Sequence, residues 1–157
     1  MATGTVNYGD LLEVKPLPGN ALNHSDDTIF RIRQLRGKWV MVTVDSGACN
    51  AACREKLYYM RQTRLMQHTE MDRVERLWLI DDDVVPEAAL KEEYKGTLRV
   101  KAKDSEMLTA LPAAGSQRDH IYLVDPLGNL MLRFPRNPDP ALIAKDLKRL
   151  LKVSSMR

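Results

Sequence analysis

Two short, densely apolar runs separated by one helix's length of chain constrain this sequence most. Trp39-Val40-Met41-Val42-Thr43-Val44 shows no polar alternation and predicts a strand buried on both faces. Arg76-Leu77-Trp78-Leu79-Ile80 predicts a second such strand. Between them, Arg54 to Met66 places Leu57, Met60 and Leu65 on one side and Arg54, Arg61 and Arg64 elsewhere, which is a helical pattern. If that helix is a crossover, the two strands are parallel neighbours, because such connections are right-handed and return to the same sheet.

The rest of the chain extends this unit. Residues up to Asp27 carry Gly4, Gly9, Pro16, Pro18 and Gly19 and read as an extended arm with one short strand at most. Thr28 to Ile32 reads as a strand, and Leu35-Arg36-Gly37-Lys38 as the turn feeding Trp39. After Asp81-Asp82-Asp83, Pro86 to Tyr94 predicts a short helix with proline in its first turn. Thr97 to Val100 predicts a strand, and Met107 to Gly115 is ambiguous between helix and loop. His120 to Val124, the turn Asp125-Pro126-Leu127-Gly128-Asn129, and Leu130 to Phe134 predict a hairpin. Pro140 to Lys152 closes the chain as an amphipathic helix with Leu142, Ile143, Leu147, Leu150 and Leu151 inward. The order β–α–β–α, hairpin, α implies an α/β fold with a central mixed sheet and helices on both faces. The expected division is an arm over residues 1–25 and one domain over residues 26–157.

Composition narrows the function classes. A hydrophobic fraction of 44% and a charged fraction of 29% are those of a soluble globular chain, and 157 residues suffice for one core. Net charge is +3 with basic residues scattered among acidic ones, so nothing argues for nucleic acid. No apolar run approaches the ~20 residues that span a bilayer. The start shows no signal-peptide pattern. Phosphate-loop, serine-elbow and zinc-protease motifs do not occur.

Chemistry concentrates at Cys49-Asn-Ala-Ala-Cys53, which holds both cysteines of the chain. The pair follows the first buried strand after the turn-like Asp45-Ser46-Gly47-Ala48, so Cys49 falls at or near a helix N-terminus. Unpaired backbone N–H groups and the helix dipole favour a thiolate there. Cys53 follows about one turn later, with an expected Cα separation of roughly 6 Å, which a disulfide can bridge. The same geometry aims two soft sulfurs at one metal ion. Arg54 and Lys56 add positive charge beside the pair. The competing interpretation is a pair of small core residues, since free cysteine is often buried. In open α/β sheets, ligands sit outside the carboxyl ends of the strands, where Cys49 is placed.

The element order, the dithiol after the first buried strand and the late hairpin resemble the thioredoxin superfamily. The three-residue spacing within Cys49–Cys53, Leu35-Arg36-Gly37-Lys38, the Asp-rich strand end with its Pro-started helix at Asp81 to Glu87, and Tyr122-Leu123-Val124-Asp125-Pro126-Leu127-Gly128 resemble the SCO/SenC branch. The resemblance covers about residues 26 to 152 and implies a thioredoxin-like three-layer α/β/α fold with a C-terminal β-hairpin plus helix. It also implies assistance in assembling the copper centre of cytochrome c oxidase at a periplasmic face. The membrane would be reached only through an anchor outside this chain. Copper would be the cofactor, and partners would be an oxidase subunit or another thiol or copper protein. The implied metal ligands are Cys49, Cys53 and a histidine, for which His120 is the candidate. The family's histidine falls about five positions before the hairpin tyrosine, where this chain has Gln117. His120, counted back from Gly128, falls at the thioredoxin cis-proline position. Arg54 stands where the family usually has proline.

The remaining candidates are weaker. His24 lies in the arm, and His68 lies at the far end of the dithiol helix, about 22 Å from the cysteines at ~1.5 Å per residue. Met41, Met60 and Met131 fit core positions. Asp81 to Asp83 are expected to cap the next helix or stay solvated. Three functions stand: copper handling; thiol–disulfide exchange, with Cys49 attacking and Cys53 resolving; and a docking module that does not use the dithiol.

Overall fold

The structure, a computed structural model, describes residues 7–154. The first six residues of the expected arm and the last three of the chain lie outside the described residues. Along the chain come β1 (Asp10–Pro16), β2 (Leu22–His24), β3 (Ile29–Phe30), β4 (Trp39–Asp45), α1 (Ala51–Leu65), β5 (Val74–Ile80), α2 (Ala88–Glu93), β6 (Thr97–Lys101), α3 (Glu106–Thr109), β7 (Ile121–Val124), β8 (Asn129–Arg133) and α4 (Pro140–Ser154). Short 3-10 segments occupy Ile32–Leu35, His68–Arg73 and Gln117–Asp119.

Among the described residues, the eight strands form one sheet in the order β1-β8-β7-β4-β5-β6-β2-β3. β4, β5 and β6 are parallel, with Trp39 opposite Val74 and Arg76 opposite Thr97. β7 runs antiparallel to β4, pairing Val40 with Val124 and Thr43 with Ile121. The expected central pair and its hairpin neighbour are therefore present, in a thioredoxin-like mixed open sheet.

The unbroken burial of β4 follows from helices on both sheet faces. Val40, Val42 and Val44 pack with Leu77, Leu79, Tyr122 and Val124 toward Met107 and Leu111 around α3. Trp39 and Met41 meet Met60 of α1 and Ile143, Leu147 and Leu151 of α4. Met41 and Met60 are core residues, as their spacing predicted, and Met131 packs half-buried against the same cluster.

Local boundaries differ where side chains or pairing decide them. The strand expected over Thr28–Ile32 shrinks to Ile29–Phe30, because only Leu22 and Asn23 pair with it. The helix expected from Pro86 begins at Ala88, since Glu87 is still extended with ψ 141°. α1 starts earlier than expected, at Ala51, because Asn50 caps it. The expected arm supplies two strands, β1 beside β8 and β2 beside β6, and so reaches toward both edges of the sheet.

Candidate functional site

β4 ends at Asp45, and four residues connect it to the α1 cap. Cys49 N–H donates to the Ser46 carbonyl at 3.0 Å, and Asn50 Oδ1 accepts from Cys53 N–H at 3.0 Å. Cys49 takes a left-handed backbone with φ 43°, uncommon outside glycine, at the bend into the helix. Gly47 lies against the loop after β5, where a Cβ would stand 1.7 Å from the Val84 carbonyl oxygen. Its N–H donates to Asp82 Oδ1 at 3.0 Å. The loop is thus fastened at both ends, with the cysteines between the fastenings and the helix.

Cys49 and Cys53 form a disulfide with Cα atoms 5.0 Å apart. They pack with Leu57, Trp78, Ile80, Leu90 and Tyr94. A helix N-terminus is ordinarily an open position for a thiol, but Cys49 is 1% and Cys53 0% exposed. The difference arises because α2 and the end of β5 cover the pair, which no local pattern records. Neither sulfur is open to a partner in this conformation.

Beneath the loop lies a charge cluster that the sequence reading did not single out. Lys56 Nζ donates to Asp45 Oδ2 at 2.9 Å, to the Val44 carbonyl at 2.8 Å and to the Arg118 carbonyl at 2.7 Å. Burial pushes the Lys56 pKa down, and the charge and hydrogen bond of Asp45 only partly restore it. Arg118 grips Asp81 with two bonds, of 2.8 and 2.7 Å, and its Nη2 lies 3.8 Å from Asp82. Those bonds hold the Arg118 pKa above its usual range despite some burial. Burial raises the Asp82 pKa, but bonds from Ser46, Gly47 and Val84 and the charge of Arg118 leave it below the ordinary value. Asp81 and Asp82 therefore tie three loops together rather than capping α2, and Asp83 pairs with Lys103. Of the two cations expected to favour a thiolate, Lys56 is held by Asp45 and Arg54 by Glu87. Asp45 at the end of a buried strand and Lys56 three positions past Cys53 were the available signals. What completes the cluster is Arg118, 62 residues beyond Lys56.

His120 sits just before β7, and its Nδ1 lies 2.7 Å from the Phe134 carbonyl oxygen. A carbonyl only accepts, so Nδ1 carries the proton and Nε2 keeps the lone pair a metal needs. Gln117 is committed elsewhere, donating from Nε2 to the carbonyls of Leu108 and Leu111. His24 stacks edge-on against Phe30, and His68 is exposed past the end of α1. Among the described residues, no group of three or more His, Cys, Asp and Glu side chains is arranged to hold a metal ion. The two sulfurs come together as the sequence predicted, and His120 is not gathered with them. For a Cu(I) ion the fit is thus two thiolates after reduction, with a chemically competent imidazole outside the cluster.

Residues 39–154 match the family model described as the transmembrane-like, thioredoxin-like C-terminal domain. No curated protein sequence matches the chain. Among solved structures, the fold is similar to copper-bound Sco1 from yeast, at 18% identity, 95% coverage of each chain and a TM-score of 0.68. It is similar to a SCO1/SenC family lipoprotein from Bacillus anthracis, at 19% identity, covering 90% of this chain and 97% of that one, with a TM-score of 0.67. A putative protein disulfide isomerase from Bacteroides thetaiotaomicron matches at 15% identity, covering 94% and 95%, with a TM-score of 0.66. Among the described residues, no helix is long and apolar enough to cross a membrane.

Proposed function

The chain belongs to the transmembrane-like, thioredoxin-like C-terminal domain family, and from that premise we propose that it is an SCO-like thiol protein whose Cys49 and Cys53 cycle between dithiol and disulfide. The observation that carries this reading is the Cys49–Cys53 disulfide at the carboxyl end of β4 and the start of α1. In the reduced chain, a Cys49 thiolate attacks one sulfur of a partner disulfide and releases a partner thiolate. Cys53 then attacks Cys49, forms the disulfide seen here and releases the second partner thiolate. Two electrons pass to the partner, and the two cysteine protons end on its thiols. Because the pair is buried, each step requires the side chains packed over it to part.

The second reading is handling of Cu(I) as cargo, and the copper-bound Sco1 of matching fold favours it. Reduced Cys49 and Cys53 would supply two thiolates, with His120 Nε2 as the third ligand once its loop moves. Copper held this way is a soft ion that passes between sulfur ligands. In this reading the partner is a cytochrome c oxidase subunit or another thiol or copper protein. The place in this reading is a periplasmic membrane face. Residues 26–157 carry the function in this reading, with β1 and β2 from the stretch before them completing the sheet.

One pair of measurements separates the readings. Reduced protein is titrated anaerobically with Cu(I) against a competing chelator, and separately assayed for reduction of a disulfide substrate. Exchange predicts that Cys49→Ser abolishes reduction while His120→Ala retains it. Copper handling predicts one tightly held Cu(I), lost with either Cys→Ser and weakened by His120→Ala. Neither reduction nor Cu(I) binding by the wild type would refute both.

A further inference from the structure

Away from the dithiol, several unexplained polar atoms lie together. Arg76 Nη1, Thr97 Oγ1 and Arg99 Nη1 are buried without a hydrogen-bond partner. Arg76 is in register with Thr97, and Trp78 with Arg99, so the four side chains share one sheet face. Arg76 is 5% exposed, and its Nη2 donates to the Lys95 carbonyl at 2.8 Å. A Cβ on Gly96 would stand 2.7 Å from that Nη2, so the absent side chain lets the guanidinium lie against the turn. Arg64 and Arg61 add positive charge nearby.

A cavity of about 450 Å³ opens beside this stripe, with His24, Lys91, Lys95, Thr97 and Arg99 in its wall. Glu92 and Asp26 also line it, but Asp26 already accepts from the Thr28 N–H and hydroxyl at 3.0 and 2.6 Å. Among the described residues, none of Lys91, Lys95 and Arg99 forms an ion pair. Buried donors are ordinarily matched, so an unmatched guanidinium marks a place that lacks an acceptor. Guanidinium groups match planar and tetrahedral oxyanions through paired N–H donors.

We propose that this cavity binds a small organic anion, carboxylate or phosphate ester, through Arg99 and Thr97, with Lys91 and Lys95 at its mouth. The volume exceeds a bare inorganic ion and falls in the range of small-molecule sites. The stems of the lysines and Leu98 supply apolar wall for the rest of the molecule. The site stands at the amino end of β6, whereas the dithiol stands at the carboxyl end of β4. It is therefore independent of the redox reading, although Trp78, opposite Arg99, packs in the same cluster as both cysteines.

The test titrates the full oxidised chain with inorganic phosphate, with citrate, and with sodium chloride at matched ionic strength, following backbone amide shifts. Saturable shifts confined to residues 24–28 and 91–99, with a Kd of about 1 mM or tighter for phosphate or citrate, are expected. Saturation by phosphate alone identifies a phosphate ligand, and by citrate alone a carboxylate. Arg99→Gln should weaken binding at least about tenfold, and Lys95→Gln several-fold, the latter serving if Arg99→Gln does not fold. Shifts that do not saturate, that sodium chloride reproduces, or that survive both substitutions would overturn the proposal and leave a water-filled cavity.

Discussion

Replacing Lys56 by methionine tests whether the loop beneath the dithiol is held by a buried ion pair. The Lys56 side chain is 8% exposed and that of Asp45 6%, so the pair is dry, and Lys56 Nζ makes three bonds there. Methionine fills most of the volume but supplies no donor. Asp45 then keeps only the Ser46 N–H at 2.8 Å and Arg118 Nε at 3.9 Å. An uncompensated buried charge of this kind costs about 3–5 kcal/mol. Removing both charges, with Asp45→Asn added, should cost far less, on the order of 1 kcal/mol, because the depressed Lys56 pKa shows that burial outweighs what Asp45 returns. Equilibrium urea unfolding of the oxidised protein measures this. With a slope of about 2 kcal/mol/M for a domain of this size, the single variant should lower the midpoint by roughly 1.5–2.5 M and the double by about 0.5 M. The cycle should return a coupling of at least about 2 kcal/mol. A single-variant loss below about 1 kcal/mol, or a double variant as unstable as the two losses summed, would refute the reasoning.

Gly47→Ala should destabilise by roughly 3 kcal/mol or leave no folded protein, because its Cβ would overlap the Val84 carbonyl at 1.7 Å; a normal thermal midpoint would show that the two loops are not packed this way. Reducing the disulfide should lower unfolding free energy by only about 2 kcal/mol, since the closed ring spans a sequence separation of 4. Trp78 emission should change with that reduction, and an unchanged spectrum would deny the packing of Trp78 on the pair. Burial, partly opposed by Arg133, pushes the Tyr122 pKa from 10.0 to about 12. The folded state therefore keeps a proton that the unfolded chain loses, so this stability is complete below pH 10 and disappears as pH rises toward about 12, roughly 2–3 kcal/mol in all. Tyr122→Phe should flatten that part of the pH profile, measured by urea unfolding at each pH, and an unchanged slope would assign the alkaline loss elsewhere.

What the sequence determined by itself is what short-range physics can encode. The unalternating apolar runs at Trp39–Val44 and Arg76–Ile80 specify strands buried on both faces, and the helix between them specifies their parallel pairing. The hairpin turn at Asp125–Gly128 specifies the antiparallel pairing of β8 with β7. The spacing of Cys49 and Cys53 across a helix start specifies that they can join, because so short a separation keeps their Cα atoms within disulfide reach. Other outcomes depended on residues far apart in the chain. Burial of the cysteines is decided by Trp78, Leu90 and Tyr94, which reach them only through the sheet and α2. Lys56 is turned from the sulfurs toward Asp45 because Arg118, from the loop before β7, completes its cage. Gln117, where the SCO/SenC resemblance led to the expectation of a histidine, became a strut for the Leu108 and Leu111 carbonyls, and His120 was oriented by the Phe134 carbonyl just past β8. Periodicity and spacing act along the chain, whereas solvent access, charge pairing and imidazole orientation are set by whatever packs across it, and only the tertiary structure decides that.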